Sequence, residues 1–410
     1  AQVDPALGRP GPRAPLGRSG AKLEDAIRRE VRRTVGALKH SGQQGQIRGS
    51  VQELMLQQIK AYRARAEHGA MRAAGLEGEP VGRRVRPLPW SWREGAMYVD
   101  DAPSAAGRPR TGGKREGPAP REHPPGRGGG GPLGRGVARL SGAGYVPETA
   151  GGVLAAERYL AGNDAHRARQ IEWALTLPEA RAVMAARGGF GTTRILPLVD
   201  WRKALLRRKL LVGFSDLTAA LSYVSTRLKF PCLHGPMAAA DLALRFDPRA
   251  LDAFARLACG KVSPREPWGG RMTRVRRGVA RGILTGGCLS VITALLGTPH
   301  EPDFRGGVLF VEDVGEPAYR LDRMLTQWIH SGRLSRIAGI VAGKMAPARG
   351  ETEEEICRVL HRAGAALSVP VWYGFPAGHE GRNVALPFGV EARVDAQGRL
   401  YLLESPVEKA

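Results

Sequence analysis

The sequence predicts an α/β protein built on parallel sheets, preceded by a helical and low-complexity N-terminal extension. Three observations carry the prediction. From about Val137 onward, short apolar runs (LLVGF, FPCLHG, GGVLFVEDVGE, IAGIVAGKM) alternate with longer stretches of helical periodicity, which is the spacing of β-α-β units. The runs are continuously apolar rather than alternating, as strands covered on both faces must be. Upstream of Val137 the composition changes: excess positive charge is denser there and glycine, proline and arginine dominate one long stretch.

Residues 1–101 read as a basic extension with two helices. In KLEDAIRREVRRTVGALKH, Leu23, Ile27, Val31, Val35 and Leu38 share one face. In SVQELMLQQIKAYRARAEHG, Ser50 and Glu53 form a capping box at the start. The segment 102–136, with GPAPREHPPGRGGGGPLGRG, cannot bury a core and reads as a linker. Its glycines suggest a phosphate loop, but the Lys-Ser/Thr of a P-loop and a preceding strand are lacking. An α/β domain is expected over 137–240, a connecting segment over 241–271 and a second α/β domain over 272–404.

Composition bounds the function. The net charge of +23 divides into +12 through Arg135 and +11 over the rest, and arginine supplies most of it. A basic chain can bind nucleic acid, but no aromatic residues interleave with the basic ones to stack bases, so nucleic acid is not the expected partner. No apolar run has membrane-spanning length, and the N-terminus lacks the apolar core of a signal peptide. The four cysteines are scattered with no C-x-x-C pair. That pattern argues against a zinc site and a disulfide framework, and fits a reducing cytoplasm.

LLVGFSDLTAAL (210–221) places Ser215 where an apolar run stops and a helix begins. Gly213 permits a tight turn, and backbone N–H groups at such a turn face whatever approaches. This is the setting of a nucleophile elbow, although Leu217 stands where G-x-S-x-G has its second glycine. Ser215 and Asp216 would equally suit a helix cap. A serine needs a base to take its proton, and the base needs a carboxylate to fix its tautomer. Among nine histidines, His379 in WYGFPAGHEGRN follows a strand and lies between Gly378 and Gly381. His234 also follows a strand end, as a site-lining or a structural residue. Glu312 and Asp313 end the apolar run GGVLFVEDVGE, and strand C-terminal ends are where α/β sheets keep their sites.

Taken together, ARGGFGTTRILPLVDW, VGFSDLTAAL, HGPM, LSVITALLGTPHEPDFRGGVLFVEDVGEPAYRLDRMLTQW and GFPAGHEGRNVALPFG closely resemble the LD-carboxypeptidase family, serine peptidases of the S66 type. The resemblance spans about 137–403. It implies a flavodoxin-like parallel-sheet N-terminal domain, a swivelling β/α C-terminal domain and a site in the cleft between them. It puts the nucleophile on Ser215, the triad glutamate on Glu312 and the histidine on His379. Backbone N–H groups of Asp216 and Gly189 would hold the oxyanion. Gly188, Phe190 and His234 would contact substrate, and Arg187 and Arg194, beside the glycine loop, would either clamp substrate carboxylates or serve as helix-surface or salt-bridge residues. The implied reaction releases D-alanine from a murein tetrapeptide by cleaving an L,D amide bond, in cytoplasmic peptidoglycan recycling, by a homodimer that needs no metal and no other cofactor.

Two departures stand out. Family members open with an apolar strand of the form D-x-I-x-x-V-A-P-S, where this chain carries the Gly/Pro/Arg stretch. Either GAMYVDD (95–101) supplies that strand, or the domain lacks it, as a shifted upstream reading frame would leave it. Cys288 in GGCLS replaces an asparagine, and a small buried filler is the expected role. Two other readings remain open at this stage: a relative that cleaves aminoacyl-nucleotides, with Trp201, Trp268 or Trp372 stacking the base, and an inactive relative with a binding extension.

Overall fold

The computed structural model describes residues 131–345, 351–380 and 382–407, together with the backbone of one earlier strand, 96–100. All of them fall in the unit Pro80–Ala410. The two helices expected in the extension lie outside the described residues.

The first sheet begins with β1 (Ala96–Asp100), which is followed by α1 (Pro132–Gly142) and β2 (Val146–Thr149). Then come α2 (Asp164–Thr176), β3 (Ala182–Ala185), α3 (Thr192–Ile195), α4 (Trp201–Leu205) and β4 (Leu210–Gly213). After a single 3₁₀ turn at Ser215–Leu217 follow α5 (Thr218–Thr226), β5 (Cys232–His234), α6 (Asp241–Leu244) and α7 (Pro248–Ala258). The strand order 2-1-3-4-5 is that of the flavodoxin-like doubly wound fold. β3 and β4 are buried at every position, which is why their sequences AVMA and LLVG show no alternation.

The missing first strand is therefore present. β1 lies inside the sheet, parallel to β2 from Ala96↔Val146 and to β3 from Met97↔Ala182. The helix after it also begins earlier than the linker reading allowed, at Pro132 rather than beyond Gly136. Proline suits a helix's first turn, where its missing N–H has no partner to lose. Gly136 is buried, and a Cβ there would stand 1.9 Å from the Ala238 carbonyl oxygen. Glycine at this point is a packing requirement that composition alone presents as a linker.

The second sheet comprises β6 (Pro267–Arg271), β7 (Thr273–Arg276), β8 (Ala280–Cys288), β9 (Gly307–Glu312), β10 (Gly339–Gly343), β11 (Val371–Phe375), β13 (Val390–Val394) and β14 (Arg399–Leu402). Helices α8 (Leu289–Thr293), α9 (Ala318–His330) and α10 (Glu353–Leu367) connect its strands. Strands β8 to β11 run parallel. β6 and β7 are separated by one residue, Met272, yet form opposite edges of the order 6-14-13-8-9-10-11-7. A flat sheet cannot place them so, and the sheet curls into a half-barrel, with Met272 N–H bonded to the Gly398 carbonyl at 2.9 Å. α10 opens with a full Thr352–Glu355 capping box. It packs beside α9 over a core of Leu321, Leu325, Trp328, Ile356 and Leu360.

Strand β12 (Leu386–Phe388) binds the halves together. It pairs antiparallel with β5 and so completes the first sheet, while β13, one residue later, belongs to the second. One core cluster runs through both sheets, from Leu210 and Val212 to Leu284, Val308 and Phe310.

Candidate active site

Ser215 lies one residue beyond β4, after Phe214, and has φ = +59°. A non-glycine residue in the left-handed region is strained by roughly 1–2 kcal/mol, and such strain collects at functional turns. The strain lifts the side chain off the strand end, and Ser215 stays half-buried while its neighbours Phe214 and Asp216 are buried. A Cβ on Gly188 would stand 2.7 Å from both Ser215 Cβ and Oγ. Only a glycine lets the RGGFG loop lay its backbone against that hydroxyl.

Glu312 is the last residue of β9 and is fully buried. Its Oε2 accepts from His379 Nδ1 at 2.7 Å and from the His379 backbone N–H at 3.1 Å. The other ring nitrogen, Nε2, lies 2.9 Å from Ser215 Oγ. With Nδ1–H given to the carboxylate, Nε2 is left as the acceptor for the serine proton. Gly378, at φ = +113°, makes the approach possible, because a Cβ there would meet Glu312 Oε2 at 2.6 Å. Its N–H is fixed by Asn383 Oδ1 at 3.1 Å.

The charges reinforce one another. Burial draws the His379 imidazolium down, but the charge and hydrogen bond of Glu312 outweigh it and raise its pKa above the ordinary value. Burial likewise favours the neutral acid at Glu312, yet the charge and hydrogen bond of His379, aided by His234, hold its pKa below the ordinary value. The set is a hydroxyl whose proton can pass to an imidazole, with a carboxylate ready to stabilise the imidazolium.

The structure thus brings Ser215, Glu312 and His379 together. Asp216 has a second task besides its place on the turn. Its Oδ2 accepts from Thr192 N–H at 2.8 Å and from Thr192 Oγ1 at 2.7 Å, tying the end of the glycine loop to the elbow. Gly189 is exposed. Phe190 is exposed, its ring 5.9 Å from that of Tyr159. Arg187 is half-buried next to Gly188, and Arg194 pairs with Asp164 at 2.6 Å. Asp313, the neighbouring acid, accepts from Ser290 N–H at 2.7 Å and so caps α8 rather than facing His379's ring. Cys288 is 4% exposed, and burial, with Glu312 and Asp313 adding to it, keeps its thiol protonated.

The expectation that His234 contacts substrate does not fit its position. Its ring has no exposed surface and lies among Phe214, Phe310 and Phe388. Burial pulls its pKa to about 4, so it is neutral near pH 7. Thr192, Asn383 and Arg245, which donates from Nη1 to the His379 carbonyl, had no signal in the sequence. Thr192 and Arg245 are identified only by partners 24 and 134 positions along the chain, and Asn383 by the turn that it closes on Gly378. All four cysteines are free. Among the described residues no group of three His, Cys, Asp or Glu side chains could hold a metal ion, and no helix is long and apolar enough to cross a membrane.

Two family models match the chain, the LD-carboxypeptidase N-terminal domain over residues 125–235 and the LD-carboxypeptidase C-terminal domain over 281–394. The chain belongs to the LD-carboxypeptidase family. Among its relatives is the murein tetrapeptide carboxypeptidase of Pseudomonas aeruginosa, 34% identical over 252 residues, 58% of this chain and 80% of the relative. The crystal structure of muramoyltetrapeptide carboxypeptidase from Oxalobacter formigenes superposes with a TM-score of 0.60 at 29% identity, over 75% of this chain and 97% of that one. MccF in complex with glutamyl sulfamoyl guanosine has a TM-score of 0.66 at 18% identity, over 79% and 99% of the two chains, and so shares the fold. The chain is accordingly a peptidase of this family.

Proposed function

We propose that the chain is a serine LD-carboxypeptidase that frees the terminal D-alanine of murein tetrapeptide. The observation that carries the reading is the continuous Ser215–His379–Glu312 relay, with bonds of 2.9 and 2.7 Å. The Pseudomonas relative's name supplies the substrate class. The cytoplasmic location and the homodimer that the resemblance implies belong to the same reading.

Ser215 Oγ attacks the carbonyl carbon of the diamino acid as its proton passes to His379 Nε2. The carbonyl electrons move onto oxygen, which backbone N–H groups of Asp216 and Gly189 receive. On collapse the C–N bond breaks and His379 returns the proton to the departing amine. Water then repeats the sequence on the acyl-serine. Glu312 remains ionised and orients the ring.

The test is D-alanine release from murein tetrapeptide by the purified chain. Release at a turnover rate supports the reading. Hydrolysis of an aminoacyl sulfamoyl nucleotide with no D-alanine release would replace it.

The pH profile follows from the pair. The base works only when His379 is deprotonated, so kcat/KM should climb with pH through a midpoint above the ordinary imidazole value of about 6.5. In Glu312→Gln the burial of the ring is no longer opposed by that carboxylate. Its midpoint should move down, while kcat falls about 10⁴-fold through loss of the working tautomer. A midpoint that stays in place in Glu312→Gln would refute the electrostatic coupling.

A further inference from the structure

We infer that Arg245 is the residue that recognises the α-carboxylate of the departing D-amino acid. The inference rests on the carboxypeptidase reading above and adds the group by which the enzyme tells a chain end from an internal peptide bond. His379 must protonate the departing nitrogen, so the departing residue lies on the His379 side of Ser215. One Cα separates that nitrogen from the carboxylate carbon, which puts the carboxylate oxygens within about 4 Å of the nitrogen.

A carboxylate arriving there comes close to the ionised Glu312 that holds His379, and needs a cation. His234 is neutral and enclosed. Arg245 faces His379 directly, its Nη1 donating to the His379 carbonyl. Its Nη2 reaches Asp241 Oδ1 at 3.4 Å. Asp241 is itself buried and held by Met237 N–H at 3.0 Å, so the guanidinium has a fixed foot in the first half of the chain. Yet the side chain is 46% exposed. A guanidinium has five N–H donors in one plane, and the two engaged here leave others for a carboxylate. Arg194, in α3, is instead paired with Asp164 at 2.6 Å. Arg382, near His379 in sequence, pairs with Asp247 at 3.3 Å.

The experiment compares wild type, Arg245→Gln and Arg245→Lys on murein tetrapeptide and on the same peptide with its terminal carboxylate amidated. Wild type should prefer the acid by at least about 100-fold. Arg245→Gln should lose about 10- to 100-fold more on the acid than on the amide, mostly through KM. Arg245→Lys should recover part of the loss. Equal losses on acid and amide would overturn the inference and make Arg245 a positioning residue for His379. So would a wild type that cleaves both peptides equally well.

A binding readout separates this inference from the functional reading. D-alanine titrated into Ser215→Ala by NMR should bind more weakly by the same factor when Arg245→Gln is added, while D-alaninamide should not respond. That difference, found in a chain whose wild type releases no D-alanine, would keep the carboxylate site and discard the reaction. No difference would discard the carboxylate site whatever the wild type cleaves.

Discussion

Ser215→Ala is expected to abolish D-alanine release, lowering kcat by about 10⁶-fold, and to leave the folded chain intact. The rate effect follows from the relay: without Oγ there is nothing for His379 Nε2 to deprotonate at 2.9 Å. The oxyanion donors and substrate contacts survive, so the residual rate should still exceed that of water by about 10³-fold or more. Ser215→Gly should be equally inactive but should behave differently on unfolding. At φ = +59° glycine is free of the strain that alanine, like serine, carries. The glycine variant should therefore be more stable than the alanine variant by about 1 kcal/mol, the reverse of their order at an ordinary position. Matched denaturation curves with an unchanged slope would read this directly. An alanine variant at least as stable as the glycine one would show that the elbow stores no strain. A Ser215→Ala chain with more than a thousandth of wild-type rate would remove Ser215 from the mechanism.

The parts of this site that the sequence shows are those held by contiguous residues. Ser215 stands at a strand-to-helix junction, Glu312 at the end of an unbroken apolar run, and His379 in a glycine-flanked loop; each setting is local. Their meeting is not. His379 and Ser215 are 164 positions apart, Glu312 and His379 67, and only family resemblance joined them before the fold did. Arg245 lies 134 positions from the carbonyl that it holds, in a segment read only as a connector, and no local pattern distinguishes it from the chain's other arginines. His234 shows the opposite error. It ends a strand within a motif, HGPM, and so invites a role at the site, but its three aromatic neighbours come from β4's end, β9 and β12 and seal it from solvent.

The same distinction governs the fold. Continuous apolar runs announced β4, β5, β9 and β10, which are buried at every position. β12 is three residues of a longer apolar stretch, and its membership of the first sheet depends on β5, more than 150 positions away. Gly136 belongs by composition to the linker and by packing to α1, since what demands a glycine there is the backbone of Ala238. β1 is the instructive case. AMYVD is short, and the first strand of a doubly wound sheet usually runs almost directly into its helix; here about thirty residues intervene before α1.

That placement sets the second large effect. A chain beginning at residue 131 retains every side chain of the candidate site but lacks β1, and it is expected not to fold. Among the described residues β2 has β1 as its only partner in the sheet and would leave it entirely. β3, buried along its whole length, would present an open ladder edge and an uncovered apolar face. Ladder bonds contribute roughly 0.5–1.5 kcal/mol each, and leaving their buried groups unpaired costs more. Several such losses together approach the 5–15 kcal/mol that stabilises a whole domain. A chain beginning at Pro80 keeps β1 and is expected to fold and to release D-alanine at the rate of the full chain. Gel filtration and circular dichroism melting of the two truncations, side by side, decide the matter. A cooperative melt and full activity from residue 131 would mean that β1 is dispensable to the sheet. Failure of both chains, with the full-length protein soluble, would instead place an essential contact within residues 1–79.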